Sequence, residues 1–395
     1  MKPAWNEAAA RSCGSALALR AYSSRLIGSD PALVLHGGGN TSLKLDGTLH
    51  VKGSGANLAE VREGDFIALD LAALRALLAE DGLADGELMR RVDDCKRMPG
   101  AAKPSVETLL HAVLPHAFVE HAHADAVLAV ANVAQGEAAC MAAFGESAPL
   151  VPYRHSGAAL ARACKAVFER SATDKTIGLI LAFHGVIAFG DTARASHDNL
   201  LRLVDMAERY LRHHAKEQVL PEPRDPDLAA ASAVCAAASA VAGFPLAMKV
   251  VSTPETLAFA RRPDLALISQ QGPPTPQHAI FTKRVPLIDG DVSGFADRYQ
   301  AYLDRTLGTA AAGRIDAAPR IVLDPRFGLC SLGVNEHYAG VAAEIYLHDI
   351  DIITRAGSHG DYRSASEQDI ARAELAYGGF ERRVLEQISR LAGKP

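Results

Sequence analysis

The sequence predicts an α/β protein built in two domains, and three observations carry that prediction. In the N-terminal half, short strand-like runs share the chain with a strongly amphipathic helix pattern over 103–116. Past residue 228, strand and helix patterns alternate, which points to an α/β domain with a parallel sheet. Between them lies VLPEPRDPD, 219–227, whose three prolines and mixed charge read as a linker. The expected boundaries are therefore 1–220 and 228–395. A chain of 395 residues suits two domains of about 100–200 residues each. A hydrophobic fraction of 49% is enough to fill both cores.

The elements follow in order. Residues 5–27 are Ala-rich and read as a helix. TSLKL (41–45) and TLHVK (48–52) flank Asp46-Gly47, a strong type I′ hairpin signal. Pairing residue 45 with 48 sets Asn40 opposite Gly53, so GGGN (37–40) and GSG (53–55) should meet at the open end of that hairpin. DFIALD (65–70) reads as a strand and 71–80 as a helix. In KPSVETLLHAVLPH (103–116), Val106, Leu109, Leu110, Val113 and Leu114 recur at helical spacing, with Ser105 placed to cap. FVEHAHADAVLAV (118–130) begins as a strand and turns into a helix. TIGLILAFHGVIAFGD (176–191) reads as two buried strands around His184-Gly185, and 192–216 as a long helix. In the second half, strands are expected near 246–251, 264–269, 284–288 and 319–324. Helices are expected near 254–261, 293–307, 334–356 and 366–391. DPRFGLCSLG (324–333) reads as a strand running into a glycine loop, the part of this domain best suited to touch a ligand.

Composition excludes several classes. The net charge is −5, and no Lys/Arg cluster alternates with aromatics, so no nucleic-acid partner is expected. No basic leader with an apolar core and no run of about 18 uncharged apolar residues is found, so neither export nor a membrane partner is expected. Six cysteines occur without any CxxC pair, which reads as a reduced, cytoplasmic protein without a thiolate metal site.

The chemistry concentrates in a few residues. His121 and His123 stand two apart, so in a strand both imidazoles project to one side. That is either an odd core feature or half of a metal site. His184 is the best third ligand, because a strand that ends before glycine can release its side chain into a cleft. Glu107 is the candidate carboxylate; its alternative is an acidic residue favoured by the helix dipole. GGGN and GSG, with Ser105 nearby, either make tight turns or offer backbone N–H groups to an anion. HGGG (36–39) resembles an esterase oxyanion loop, but no G-x-S-x-G accompanies it. No G-x-G-x-x-G and no P-loop is present, so no NAD is expected.

Taken together, GGGNTS, GSG, KPSVETLLH, HAH and FHG, in this order and spacing, resemble the class II aldolase/adducin family. LVLHGGGNTS, VKGSGANLA, FGDTAR, TPQHAIFTK and AEIYLHDIDIITRAG extend the resemblance over nearly the whole chain. They are similar to the aldolase half of the bifunctional rhamnulose-1-phosphate aldolase/lactaldehyde dehydrogenase type, without its dehydrogenase domain. The resemblance implies an N-terminal α/β/α domain around a mainly antiparallel sheet. It implies His121, His123 and His184 as ligands of a divalent ion, Zn2+ before Mn2+ or Co2+. Glu107 would be the catalytic acid/base, and Asn40, Ser54, Gly55 and Ser105 the phosphate and substrate contacts. The implied reaction is cleavage of a 2-keto sugar 1-phosphate to dihydroxyacetone phosphate and an aldehyde. That role asks for a Glu107 pKa nearer neutrality than a free glutamate's. Sister reactions on the same centre are decarboxylation, epimerisation and dehydration; a non-catalytic adducin-like role is the other alternative. The resemblance further implies a homo-oligomer, with a tetramer as the expected form. The absence of a Gly-rich βαβ fingerprint after 227 points to a C-terminal domain that is structural or substrate-shaping rather than a second enzyme. Some members use a tyrosine downstream of the paired histidines; here the first is Tyr153.

Overall fold

The computed structural model describes residues 5–36, 38–80, 83, 85–98, 100–377, 381 and 384–386. It divides into two compact units, Met1–Ala131 with Gln135–His214, and Asn132–Ala134 with Ala215–Pro395.

The first unit opens with two helices, α1 (Glu7–Arg11) and α2 (Ala16–Gly28). The single helix expected over 5–27 is broken because Ser15 starts a new one, its hydroxyl accepting from the Ala18 N–H at 2.9 Å. Strands β1 (Asn40–Leu45) and β2 (Thr48–Lys52) form the expected hairpin, with Leu45 opposite Thr48. Both turn residues have positive φ, 48° at Asp46 and 70° at Gly47, as a type I′ turn requires. Then come β3 (Phe66–Asp70), α3 (Leu71–Ala79), α4 (Asp85–Asp94), α5 (Thr108–Val113), β4 (Phe118–Ala122), α6 (Asp125–Ala131) and α7 (Gly136–Phe144). The unit closes with β5 (Leu150–Val151), α8 (Ala158–Ser171), β6 (Gly178–Leu181), β7 (Gly185–Gly190) and α9 (Ala193–His214).

Helix α5 is much shorter than the pattern over 103–116 predicts. Pro115 follows Leu114 and forces it into extended backbone, ψ 139°, which ends the helix. Ser105 does not cap it; Glu107 occupies the position before the first helical residue.

The seven strands form one sheet in the order β3-β2-β1-β4-β7-β6-β5, antiparallel except for β5–β6. Helices α3, α5 and α8 cover one face, meeting Leu49, Val51, Val119, Leu179 and Ile187. Helices α2, α6 and α9 cover the other, where Leu43 and Phe118 pack against Ala193. The outer edge of β3 is bridged by the segment at 95–97: the Asp70 N–H donates to the Cys95 carbonyl and the Arg97 N–H to the Ala68 carbonyl, each at 2.9 Å. On the α2/α9 face, Arg20 donates to Glu120 at 2.7 Å with both side chains fully buried, and the Ser196 hydroxyl donates to the same oxygen at 3.0 Å.

The second unit holds a three-stranded sheet, β8 (Ala247–Val251), β9 (Ile321–Asp324) and β10 (Gly328–Gly333), in the order β8-β10-β9. Both pairings are antiparallel, so the parallel sheet expected here is corrected. The reason is local. Residues 325–327 make a tight hairpin between β9 and β10, so 324–333 contains a fully buried strand where a ligand-facing glycine loop is expected. Two expected strands are absent. Leu265–Ile268 is a short helix, an apolar run too brief for periodicity to classify. In 284–288, Pro286 lacks the N–H a ladder needs, and only Leu287 bridges, in parallel, to Val322. Helices Leu228–Ala242, Pro254–Ala260, Val292–Leu307, Glu336–His359 and Glu367–Tyr377 surround the sheet. The helix expected over 366–391 lies mostly outside the described residues past 377. A buried network anchors this unit: Lys283 reaches Glu374 at 3.0 Å, and the Tyr299 hydroxyl donates to the other oxygen of Glu374 at 2.7 Å.

No helix among the described residues is long and apolar enough to cross a membrane. All six cysteines are free thiols.

The packing of α9 on the sheet generates a test. A Cβ at Gly178 would lie 2.3 Å from the Ile187 carbonyl oxygen and 2.5 Å from Leu203. Gly178→Ala is therefore expected to cost about 1–3 kcal/mol in urea unfolding, the range for overpacking. Gly64→Ala, with nothing within 4 Å, is expected to stay within about 0.5 kcal/mol. Equal effects would refute this account of the packing.

Candidate metal centre

Three strands deliver the site. His121 sits in β4 with Asn40 of β1 opposite it on one side and Ile187 of β7 on the other. His123 lies just past the end of β4, its N–H held by the Leu33 carbonyl at 3.0 Å. His184 occupies the turn between β6 and β7. Gly185 follows with φ 151°, and a side chain there would meet the Ala122 carbonyl oxygen at 2.2 Å. Only glycine lets that turn close on the end of β4. Glu107 comes in from the start of α5.

These four side chains converge. The imidazole centroids are 5.0 Å apart for His121–His123, 4.8 Å for His121–His184 and 5.2 Å for His123–His184. Glu107 Oε1 is 2.8 Å from His184 Nε2, and its Oε2 is 3.7 Å from His121 Nε2. One donor atom from each of the four lies within 4.8 Å of the others. His121, His184 and Glu107 are buried.

The donor set suits a cation. His121 Nδ1 faces the Val186 carbonyl at 3.0 Å and must carry its proton to bond there, which leaves the Nε2 lone pair facing the centre. That Nε2 is buried without a hydrogen-bond partner, an orphaned acceptor that a metal ion would satisfy. Burial, against the pull of Glu107, lowers the His121 pKa to about 4, so the ring is neutral near pH 7. For Glu107, burial disfavours the charge, but His121, His184 and His123 outweigh it and hold the carboxyl well below its ordinary range. The expected rise towards neutrality is therefore not found in this arrangement, because three imidazoles face the carboxylate.

The expected anion contacts fall differently. Asn40 is buried between Glu107 and His111: its Nδ2 donates to Glu107 Oε2 and its Oδ1 meets His111 Nε2. Its amide is thus occupied by protein. The Ser54 N–H donates to the Lys103 carbonyl and the Gly53 N–H to the Asp65 carbonyl, both at 2.9 Å, so two N–H groups expected to face an anion are spent. The Ser54 side chain and Gly55 are exposed at that turn. Ser105 is half-buried, and its hydroxyl accepts from the Glu107 N–H at 3.2 Å. Of the glycine run, Gly37 lies outside the described residues. A side chain at Gly38 would come within 3.5 Å of His123 Nδ1, so this loop lies against the histidines.

Sequence reasoning missed Lys52. It is buried, its ammonium donating to the Ala56 carbonyl at 2.7 Å. Burial lowers its pKa while Glu107 and Asp65 pull the other way. Its place at the end of β2, directly before GSG, was the available signal. Tyr153 is half-buried, its ring 6.2 Å from that of Phe183, the neighbour of His184.

The chain matches the model of the class II aldolase and adducin N-terminal domain over residues 19–211, and that of the class II aldolase second domain over 226–383. It belongs to the class II aldolase family. Class II aldolases use a divalent metal, and the four converging groups form a candidate site for one. A relative from Bacillus subtilis (strain 168), named uncharacterized oxidoreductase YuxG, is 27% identical over 389 residues, covering 89% of this chain and 56% of its own. The chain thus spans little more than half the length of that relative. Among solved structures, the N-terminal class II aldolase domain of a conserved protein from Thermoplasma acidophilum is 33% identical. It covers 54% of this chain and 100% of its own, with a TM-score of 0.49. The l-fuculose-1-phosphate aldolase from Thermus thermophilus is 19% identical, covering 49% of this chain and 95% of its own, with a TM-score of 0.34.

The geometry sets an expectation for metal content. Purified protein analysed by plasma mass spectrometry is expected to hold about one divalent ion per chain. His121→Ala, which removes the central imidazole, is expected to lose most of it. Retention of the ion by that variant would refute the assignment of His121 as a ligand.

Proposed function

We propose that this chain is a metal-dependent aldolase that cleaves a 2-keto sugar 1-phosphate of the rhamnulose-1-phosphate kind to dihydroxyacetone phosphate and an aldehyde. The observation that carries the reading is the convergence of three imidazoles and one carboxylate in a buried centre of a class II aldolase fold. His121, His123 and His184 would hold a zinc-type ion, since imidazole suits such metals. When bound, that ion supplies Lewis-acid polarisation of the substrate carbonyl.

The protein's own groups do the rest. In cleavage, the C3–C4 bond breaks, its electron pair stays on C3, and the C4 hydroxyl proton passes through water to the Glu107 carboxylate as the aldehyde forms. Glu107 then delivers that proton to C3; in condensation the same proton moves the other way. With its pKa held below the ordinary range, Glu107 stands as the carboxylate that the second direction needs. The turn at Ser54 and Gly55, with Ser105, is assigned to the phosphate, and Lys52 adds a buried positive charge beside it. Asn40, read from the sequence as a substrate contact, is assigned instead to holding Glu107. The protein is assigned to a reducing compartment, supported by its six free thiols, and to a homo-oligomer, supported by family resemblance.

Assays of a phosphosugar panel are expected to yield dihydroxyacetone phosphate. Release of carbon dioxide, or an epimer without cleavage, would move the assignment to a sister reaction. Glu107→Gln is expected to keep its metal while turnover falls by about two to four decades, the range for losing a general acid/base. Full activity in that variant would show that the proton shuttle lies elsewhere. Loss of the ion would make Glu107 chiefly a ligand.

The reading assigns no hydride transfer to these residues. Titration with NAD in a calorimeter is expected to give no saturable binding, and a saturable isotherm would overturn that part.

A further inference from the structure

Behind Asn40, which holds Glu107, lie two buried polar groups that the reaction as described does not use: Ser42 and His111. We propose that His111 is a positioning residue, a neutral imidazole protonated on Nε2 that links Ser42 to Asn40 in a one-way chain of hydrogen bonds and so fixes which oxygen of Glu107 works at the centre. The proposal rests on the reading of Glu107 as the proton shuttle.

The direction of the chain follows from its end. An ionised carboxylate only accepts hydrogen bonds. Asn40 touches Glu107 Oε2 with one arm of its amide and His111 Nε2 with the other. The NH2 arm must therefore face Glu107, and the carbonyl arm must face His111. His111 Nε2 then carries the proton. Burial, with Lys44 and His121 adding to it, pushes the His111 pKa well below its ordinary value, so the ring bears only that proton. Its Nδ1 is left as an acceptor, 2.8 Å from Ser42 Oγ, and the Ser42 hydroxyl donates to it. Each of the three hydrogen bonds in the chain thus has one direction.

The fold supplies the geometry. Asn40 and Ser42 stand two apart in β1 and share a face of the sheet. His111 lies four residues beyond Glu107, one turn along α5, so the imidazole and the carboxylate it positions hang from one helix. Asn40, Ser42 and His111 are at most 3% exposed. With Oε2 committed to Asn40, Glu107 presents Oε1 to His184. Protonation of the ring on Nδ1 instead would turn the Asn40 amide, setting its carbonyl against the carboxylate. That arrangement loses a charge-assisted bond and adds repulsion.

The probe is dihydroxyacetone phosphate in deuterated water, with loss of its carbon-bound proton followed by NMR. This reads the proton transfer of Glu107 without a sugar substrate. His111→Leu is expected to slow exchange about 10–100-fold, the cost of misplacing a reacting group by about 1 Å. Its half-saturating probe concentration and metal content should match the parent. His111→Gln, whose amide can still donate to Asn40, is expected to recover most of the rate. In a Glu107→Gln background, His111→Leu should add nothing, because it acts only through Glu107. In 15N-histidine-labelled protein, His111 should show the neutral form protonated on Nε2.

Parent-like exchange in His111→Leu, with Glu107→Gln inactive, would overturn the inference and leave the proposed function standing. Independent losses in the double variant would overturn it too, by showing a merely structural role. So would an Nδ1-protonated ring, a measurement that stands even where the leucine variant fails to fold. If the parent protein exchanges no proton from this probe, the proposed function fails, while the imidazole spectrum still decides the hydrogen-bond chain.

Discussion

The site depends on the register of one five-residue strand. β4 lies between β1 and β7, and its pairing sets His121 beside Asn40 and Ile187. A slip of one residue would turn His121 to the opposite face and carry Glu120 into its place. The opposite face guards against this. Glu120 is fixed there by Arg20 and Ser196 in a fully buried contact. Breaking such a pair by removing one partner costs about 3–5 kcal/mol. The two faces of β4 thus specify each other: a charge pair on one side holds the histidine on the other.

Around that strand the polar groups are layered by what they can exchange. The His121–Val186 bond turns that imidazole's Nε2 lone pair toward the centre it shares with His123 and His184. Glu107 is the one carboxylate among them, its pKa held below the ordinary range despite burial. Behind it, Asn40 is occupied at both ends by protein groups. The arrangement sets a rear that is hydrogen-bonded into place behind the carboxylate and imidazoles, the order that positioned catalytic groups require.

Much of this was legible in the residues, for identifiable reasons. Asp46-Gly47 dictates its turn, so the β1–β2 register could be read before any coordinates. The paired histidines and the His-Gly step locate three of the four converging groups, because strand alternation and glycine geometry are local rules. What was not legible depended on tertiary partners. Asn40 reads from the sequence as a substrate contact, and nothing there shows that His111 and Glu107 also meet the two arms of its amide. Ser105 looked like a cap because the helix was extended by its apolar spacing, which Pro115 and the turn at Glu107 cut short. In the second unit, alternating patterns suggested crossovers, yet a three-residue hairpin and a proline at 286 produce an antiparallel sheet with fewer strands.

The edges of the seven-stranded sheet bear on how copies of this chain can associate. An open edge strand is a template for pairing with another molecule, and natural proteins blunt such edges. Here one edge, β3, already spends backbone groups on the 95–97 segment, and the other, β5, is only two residues long. Extension of the sheet from molecule to molecule is therefore disfavoured at both ends. Self-association of the first unit is left to side chains on its helices and loops, where contacts can be specific and reversible and do not propagate as a continuous ladder.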